Sequence, residues 1–523
     1  MTARDLPQSS ASTLLASLSA QDRAELLAEL KRSLGEPKPS RWLTNLALAT
    51  DSYKASHYLQ YPPGTTGLHA YIESRGGEFS HTLFFGLQMI LKDYLAIPIT
   101  HADVDEARDF WALHGEPFNE AGFRYIVDTH QGYFPVRINA LPEGVAAPTG
   151  TPLMTIESTD PQAFWCVSYL ETLLLQVWYP ITVATQSWTI RSLIKRYLVA
   201  TSDTPEAGLA FKLHDFGYRG VSSPESAARG ALAHLVSFRG TDTVAGILAG
   251  RQFYREPMAG FSIPAAEHST ITSWGKAGEV DAYRNMLKQF AKPGALVAVV
   301  SDSYDLFNAL ENHWGTTLKQ EIIDSGATVV IRPDSGDPAS IVLKTLGILD
   351  AKFGSDLNSK GFRVLRHVRV IHGDGVNLRA IRDILAAMKI NGYSAENVAF
   401  GMGGALLQGL NRDTCKFAMK TSAALIEGEW RDVFKDPVTD PGKRSKAGRL
   451  TAWRNDTTGE WLTTPVHNGW SDTGREPLAG PGWTQMLVPV WDTGRLLADH
   501  TLGEVRARAD AVDAPLDRGF VGW

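Results

Sequence analysis

Cysteine is scarce in this chain. Cys166 and Cys415 are the two in 523 residues, which leaves no disulfide framework and no spacing that would hold zinc, and a reducing compartment is expected. Long apolar runs are missing too. None approaches the ~20 residues that span a bilayer. Serines interrupt Leu14, Leu15 and Leu18 near the start, and Asp5 precedes them, so no signal peptide is read there. Positive charge is not in excess: 51 Lys and Arg against 57 Asp and Glu give a net charge of -6, which argues against a general nucleic-acid binder. No G-x-x-x-x-G-K-[ST] sequence occurs, and no G-x-G-x-x-G opens a helix after a strand. P-loop NTPases and Rossmann dehydrogenases are therefore disfavoured. No His, Cys and Asp residues cluster at metal-site spacing.

What is present is an ordinary globular composition, 44% apolar and 21% charged, in a chain too long for one core. Four regions are expected. Residues 1–40 form a partly helical extension in which Leu26, Leu27, Leu30 and Leu34 share a face before Pro37 and Pro39. Residues 41–175 are the first part of an α+β domain. Its apolar alternation at Leu68, Ala70 and Ile72 reads as a strand ending at Arg75-Gly76-Gly77, and Leu170 to Val183 reads as an apolar helix or linker. Residues 176–412 are an α/β region, and 413–523 complete the α+β domain with a basic loop around Lys435, Lys443, Arg444, Lys446 and Arg449.

The α/β region carries the chemistry. Strands are expected at 296–300, 328–331, 368–371 and 398–400, recurring roughly every thirty to forty residues, each followed by Gly or Asp and then a helix. That rhythm implies parallel βαβ units in a barrel or an open sheet. The organising stretch is Lys212 to Ser223, KLHDFGYRGVSS. Alternating Leu209, Phe211 and Leu213 read as a strand, Gly217 and Gly220 break it, and Ser222 or Ser223 caps a helix beginning at Pro224. Phe216, Tyr218 and Arg219 then lie at a strand's C-terminal end, where such folds place their chemistry. Ser301-Asp302-Ser303, with a helix from Tyr304, Arg332 and Asp334 around Pro333, Gly373-Asp374-Gly375 with Asn377 as a cap, and Gly403-Gly404 before a helix all fall at equivalent ends. Bare glycine N–H groups and a helix N-terminus suit a phosphate, and a carboxylate suits vicinal hydroxyls. The loops together suggest a phosphorylated sugar held over a barrel face. His268 stands alone in Pro264 to Thr270, and on spacing alone it is a hydrogen-bonded structural histidine.

The ordered motifs DSYKASHYLQYPP, KLHDFGYRGVSS, FRGTDTVAG, IPAAEHSTI, VVSDSYD, IRPDSGDP, HGDGV, GGALLQ and VFKDPVTDPGKRSKAGRL, from about residue 44 to 455, resemble the nicotinamide phosphoribosyltransferase family. The resemblance implies an irregular α/β barrel of the type II phosphoribosyltransferase kind, plus an α+β domain from both chain ends. It implies a cytoplasmic homodimer that binds no nucleic acid and no membrane, with active sites at the subunit interface. The implied reaction joins nicotinamide to phosphoribosyl pyrophosphate, giving nicotinamide mononucleotide and pyrophosphate in NAD salvage, with magnesium and coupled ATP hydrolysis. In residue terms, the resemblance gives His268 as a phosphorylated catalytic histidine, supported by Asp302, with Arg332 and Asp334 as its catalytic neighbours. Phe216 and Tyr53 of a partner subunit sandwich the base, Arg219 lies beside its carboxamide, and Asp242 accepts the amide N–H. Arg332, Asp334, Gly373 and Asp374 contact ribose and diphosphate; Gly403, Gly404, Arg412 and Lys420 form the 5′-phosphate site; Arg75, Lys435 and Lys443 hold pyrophosphate or ATP phosphates. Magnesium comes through substrate phosphates, not protein ligands. A carboxylate at 242 attracts an amide and repels a carboxylate, which favours nicotinamide over nicotinate. A nicotinate-using enzyme of similar fold and a non-catalytic ligand-binding homologue are the competing readings. Three positions depart from the family pattern: Ala418 and Met402 stand for serines, and His372 for a glutamine.

Overall fold

The computed structural model describes Ser19 and residues 43–439, 444–466 and 481–516. The amphipathic stretch 20–34 and Lys443 lie outside the described residues.

The first body is a seven-stranded antiparallel sheet in the order Glu429–Asp432, Phe417–Ile426, Thr65–Ser74, Pro152–Ser158, Val136–Ala140, Val488–Asp492, Arg495–Leu496. One interior strand differs from the half-buried one that alternation implies: Thr65–Ser74 is buried on both faces. Leu68, Ala70 and Ile72 enter the apolar core. On the other face His69 meets Glu157 at 3.1 Å, the Tyr71 hydroxyl accepts from Lys446 N (2.9 Å), and Glu73 takes Arg75 Nε (3.0 Å). Polar groups are buried there because each has a partner.

The second body is a curled parallel sheet of six strands. These are β1 (Leu213–Asp215), β2 (Gly240–Thr241), β3 (Leu296–Val300), β4 (Thr328–Arg332), β5 (Val368–His372) and β6 (Val398–Met402), in the order β2-β1-β6-β5-β4-β3. Residues 261–265 span the two edges through single parallel bridges, Gly240 to Phe261 and Ala265 to Ala298, so the curl closes irregularly into a barrel. Valine-rich β3 and β4 are buried because barrel interiors are filled by side chains.

Three expected elements differ. Leu209–Phe211 is a 3-10 turn entered through left-handed Gly208, and β1 begins only at Leu213. After β3 the helical segment starts at Leu306 rather than Tyr304, capped by Asp305, and continues as a π-helix over Ala309–Thr317. The apolar run at Leu170 leads through a short helix, Glu171–Leu175, into α1, Trp178–Thr201, whose 24 residues join the two bodies. The helices after the site loops are capped as their sequences imply. Ser223 accepts from Ser226 N at the start of α2 (Pro224–His234), Asp337 from Ser340 N at α3 (Pro338–Phe353), and Asn377 from Arg379 N and Ala380 N at α4 (Leu378–Ile390). The last helix, α5 (Leu502–Asp510), returns to the barrel and buries Leu502, Val505 and Ala509 in its core. No helix among the described residues is long and apolar enough to cross a membrane.

Candidate active site

The loop after β1 is built on Asp215, which is fully buried. One of its carboxylate oxygens accepts from Gly217 N (2.7 Å) and the other from Thr241 Oγ1 (2.9 Å). Its carbonyl accepts from Asp242 N at 3.0 Å. One residue thus ties the loops after β1 and β2 together. Phe216 N donates to Met402 O, which turns the ring over the barrel mouth. The ring lies against Gly401, where an added Cβ would come 1.9 Å from Phe216 Cε2, and near Gly373, where the same distance would be 3.3 Å. The Arg332 guanidinium is 5.9 Å from the ring centre and the His214 ring 5.1 Å away. Arg219 and Tyr218 are exposed on the rim.

Asp242 follows β2. Ser262 donates to its Oδ1, and His214 Nε2 lies 3.1 Å from the same oxygen. Burial opposes ionisation of Asp242, but His214, Ser262 and Arg332 outweigh it and hold the carboxyl below its ordinary range.

The ends of β3, β4 and β5 supply the polar cluster. His268 Nδ1 is 3.2 Å from Ser303 Oγ, and its Nε2 faces Asp334 Oδ2 at 3.6 Å and Asp302 Oδ1 at 3.8 Å. His268, alone in its loop, therefore sits among carboxylates at the barrel mouth, with its side chain 46% exposed. Asp302 is nearly buried. Its Oδ2 accepts from Asp334 N (2.9 Å) and Ser335 Oγ (2.7 Å), while Oδ1 has no hydrogen-bond partner. Arg332 and Asp334 form a 2.9 Å ion pair, and the buried Arg332 Nε is unpartnered. Gly373 faces Phe216 and Asp334, and Asp374 is exposed beside it. Gly403 and Gly404 follow β6 as open backbone. The helix expected behind them is the single turn Gly404–Leu407, too short to add much macrodipole, so a phosphate there would rely on local N–H groups. Met402 is buried in the barrel core, so its side chain offers the loop nothing. His372 is buried with Nδ1 3.1 Å from Pro333 O, and burial lowers its pKa.

Phe216, Asp242, His268, Asp302, Arg332, Asp334, Gly373 and Asp374 are thus gathered on one face. Lys420 sits on the antiparallel sheet, and Arg75 and Lys435 lie just beyond the ends of its strands. Lys420 pairs across from Tyr71, and Ala418, two residues away on the same side of the strand, from Glu73. Burial lowers the Lys420 pKa; Arg75, Lys435 and Lys54 push the same way, and Glu171 opposes them. Such a cation cluster, with a buried unpartnered Nη2 on Arg75, suits an anion. Tyr53 is 56% exposed, with His57 and Lys54 as its neighbours, and among the described residues no ring contact joins it to Phe216. Arg412 is exposed and paired with Asp413. A cleft of about 410 Å³ between α1 and α2, lined by Tyr94, Gln176, Tyr179, Ser226 and Arg229 among others, contains none of these residues. Asp215, His214, Ser262, Ser303 and Ser335 were not legible as site residues. Most of their partners are distant in sequence; His214 and Asp215 inside KLHDFGYRG, Ser303 inside VVSDSYD and Ser335 inside IRPDSGDP had their place in a motif as a signal, and Ser262 had none.

Comparison with known proteins agrees with this geometry. Residues 45–138 match the model of the nicotinamide phosphoribosyltransferase N-terminal domain, and residues 211–468 match that of the nicotinate phosphoribosyltransferase family. A nicotinamide phosphoribosyltransferase of Xanthomonas campestris is 59% identical over 90% of this chain and 99% of its own. Another so named, from Acinetobacter baylyi, is 30% identical over 88% and 96%. Among solved structures, the nicotinate-nucleotide pyrophosphorylase of Pyrococcus furiosus aligns with a TM-score of 0.56 at 15% identity, covering 90% of this chain and 97% of that one. Human nicotinic acid phosphoribosyltransferase aligns at 0.54 and 18%, covering 89% and 93%. These two likenesses speak to the fold alone. With a type II phosphoribosyltransferase fold and close relatives along nearly its whole length, the chain belongs to the nicotinamide phosphoribosyltransferase family of pentosyltransferases.

Proposed function

We propose that this protein transfers the phosphoribosyl group of phosphoribosyl pyrophosphate to nicotinamide, releasing pyrophosphate and forming nicotinamide mononucleotide for NAD salvage in the cytoplasm. The observation that carries the reading is the Asp242 carboxylate, held ionised beside the Phe216 ring at the mouth that also holds His268, Asp302, Arg332 and Asp334. A flat heteroaromatic ring stacks on Phe216. Its carboxamide donates to Asp242, whereas a carboxylate in that place would be repelled. The ring nitrogen forms its bond to C1 of the ribose as the C1–O bond to pyrophosphate breaks. Positive charge grows on the sugar and negative charge on the leaving group. Gly373 and Asp374 suit the ribose, Gly403 and Gly404 the 5′-phosphate, and Arg332 the diphosphate. The cations Arg75, Lys420 and Lys435 belong to the same phosphate site if a partner subunit brings them to the mouth, and Tyr53 then closes over the base. That is the basis for a homodimer.

Magnesium fits as a substrate-borne ion. The unpartnered Asp302 Oδ1 suits a water of its hydration shell. Bound with the substrate, the ion would neutralise pyrophosphate charge. ATP coupling rests on His268: exposed, flanked by Asp302 and Asp334, its imidazole attacks the γ-phosphorus, ADP leaves, and hydrolysis of the N–phosphate restores the ring.

The test is mononucleotide formation from nicotinamide and, separately, nicotinate, with phosphoribosyl pyrophosphate and magnesium, with and without ATP. Expected is nicotinamide turnover raised by ATP, with Asp242→Ser lowering kcat/KM for nicotinamide at least about tenfold. Turnover of nicotinate alone would overturn the base assignment, and nicotinamide turnover indifferent to ATP would overturn the role of His268.

A further inference from the structure

The base pocket holds a second titratable group. His214 lies on β1 with its side chain only 14% exposed, and its ring is wedged between Phe216 and the backbone of β2. At Gly240 an added Cβ would come 2.7 Å from His214 Nδ1, so a larger residue there would displace the ring. His214 Nε2 is buried, has no aligned hydrogen bond, and sits 3.1 Å from Asp242 Oδ1. Ser262 donates to that same oxygen. From behind, Asp242 N is fastened to Asp215 O at 3.0 Å. Ser262 Oγ and His214 Nε2 therefore both crowd one carboxylate oxygen, and the other is left for an incoming group.

We propose that His214 is a specificity-determining positioning residue: with Ser262 it fixes the Asp242 carboxylate so that the second oxygen faces the base. This rests on the reading that a carboxamide base meets Asp242. The fixed carboxylate accepts from a carboxamide and repels nicotinate. The other charged groups facing this pair are Arg332, which reaches Asp242 from β4, and Asp215 and His234 behind His214. Of these side chains, His214 is the one wedged between the Phe216 ring and β2 with a ring nitrogen 3.1 Å from Asp242 Oδ1.

The experiment measures kcat/KM for nicotinamide and for nicotinate in the wild-type protein, His214→Gln and His214→Ala. The ratio of the two cancels effects common to both bases. Gln keeps a neutral N–H at the place of Nε2, so His214→Gln should keep the nicotinamide preference within about threefold. His214→Ala should lower the nicotinamide-to-nicotinate ratio about tenfold, through KM for nicotinamide more than through kcat. A merely structural role would change stability and both bases alike, leaving the ratio unmoved. An unmoved ratio in a folded His214→Ala protein would overturn the proposal while the proposed function stands. Absence of turnover with either base in the wild type would overturn both. Should His214→Ala fail to fold, His214→Leu, which fills the ring's volume without an N–H, is read in its place.

Discussion

At Gly401 there is no room for even one methyl group. A Cβ there would lie 1.9 Å from Cε2 of Phe216 and 2.4 Å from its Cδ2, so the ring occupies the volume a side chain would need. Gly401→Ala must push the ring out of the barrel mouth, and overpacking of this kind costs about 1–3 kcal/mol. The expected outcome is a rise of about tenfold in KM for nicotinamide with the protein still folded, read from steady-state kinetics and thermal unfolding. An unchanged KM would show that the ring is not part of the base site. Residues of this kind mark where legibility ends. Phe216, Asp242, His268 and Asp302 were named because they sit in motifs, and the fold brings them to one face. The glycine that seats the ring, the serine that orients the carboxylate and the aspartate that ties two loops together act through residues far away in sequence. Met402 makes the converse point: in sequence it reads as a change at the phosphate loop, and in space it is core.

Strands β3 to β6 were legible element by element, because short Val- and Ile-rich runs followed by Gly or Asp leave little else for the chain to be, whereas β1 was read too early and the two-residue β2 not at all. The long helix α1 was not, beyond its first turns. Thr182, Thr185, Ser187, Thr189 and Ser192 are buried along it and blur the apolar period. Four of them escape the cost of burial by donating to the carbonyl four residues back, at 2.6 to 3.0 Å. The fifth, Ser187, meets His234 Nδ1 at 3.0 Å. His234 ends α2, and its Nε2 donates to Gly240 O on β2 at 3.2 Å, so one buried imidazole pins two helices to the strand that carries Asp242. Burial pushes its pKa from 6.5 down to about 4, against the pull of Asp215. With the folded value below the unfolded one, the unfolded chain binds the extra proton. The stability is therefore complete above pH 6.5 and declines as pH falls towards 4, by roughly 3 kcal/mol in the limit. Burial also lowers the pKa of His69, which acts in the same direction, while burial of Glu143 raises its pKa and acts in the other. The His234→Gln variant isolates the effect. Its denaturation midpoint should fall less steeply than that of the wild type between pH 6.5 and 4, and parallel slopes would remove His234 from the account.

Over the whole molecule, the expected site residues divide between two bodies. The barrel carries Phe216, Asp242 and the polar cluster around His268, whereas Lys420 on the antiparallel sheet, Arg75 and Lys435 beyond its strand ends and Tyr53 on a 3-10 turn before it belong to the other body. If each pocket is completed by the neighbouring subunit, Tyr53→Ala and Phe216→Ala proteins should each be impaired, and a mixture refolded together should regain about a quarter of wild-type activity through sites with both rings intact. A mixture no better than its components, or a fully active monomer in sedimentation, would place the whole site in one chain. The two bodies also share the end of the chain. Val488–Asp492 is an interior strand of the first sheet, and ten residues later α5 enters the barrel core, where Arg506 donates to Leu235 O and Ala259 O. During synthesis, neither body can finish until Val488–Asp492 and α5 have left the ribosome. Until then the nascent chain carries two unfinished apolar cores, which makes it a natural client for chaperones. A stop codon placed just before Val488 should therefore cost solubility although every expected residue of the site precedes it.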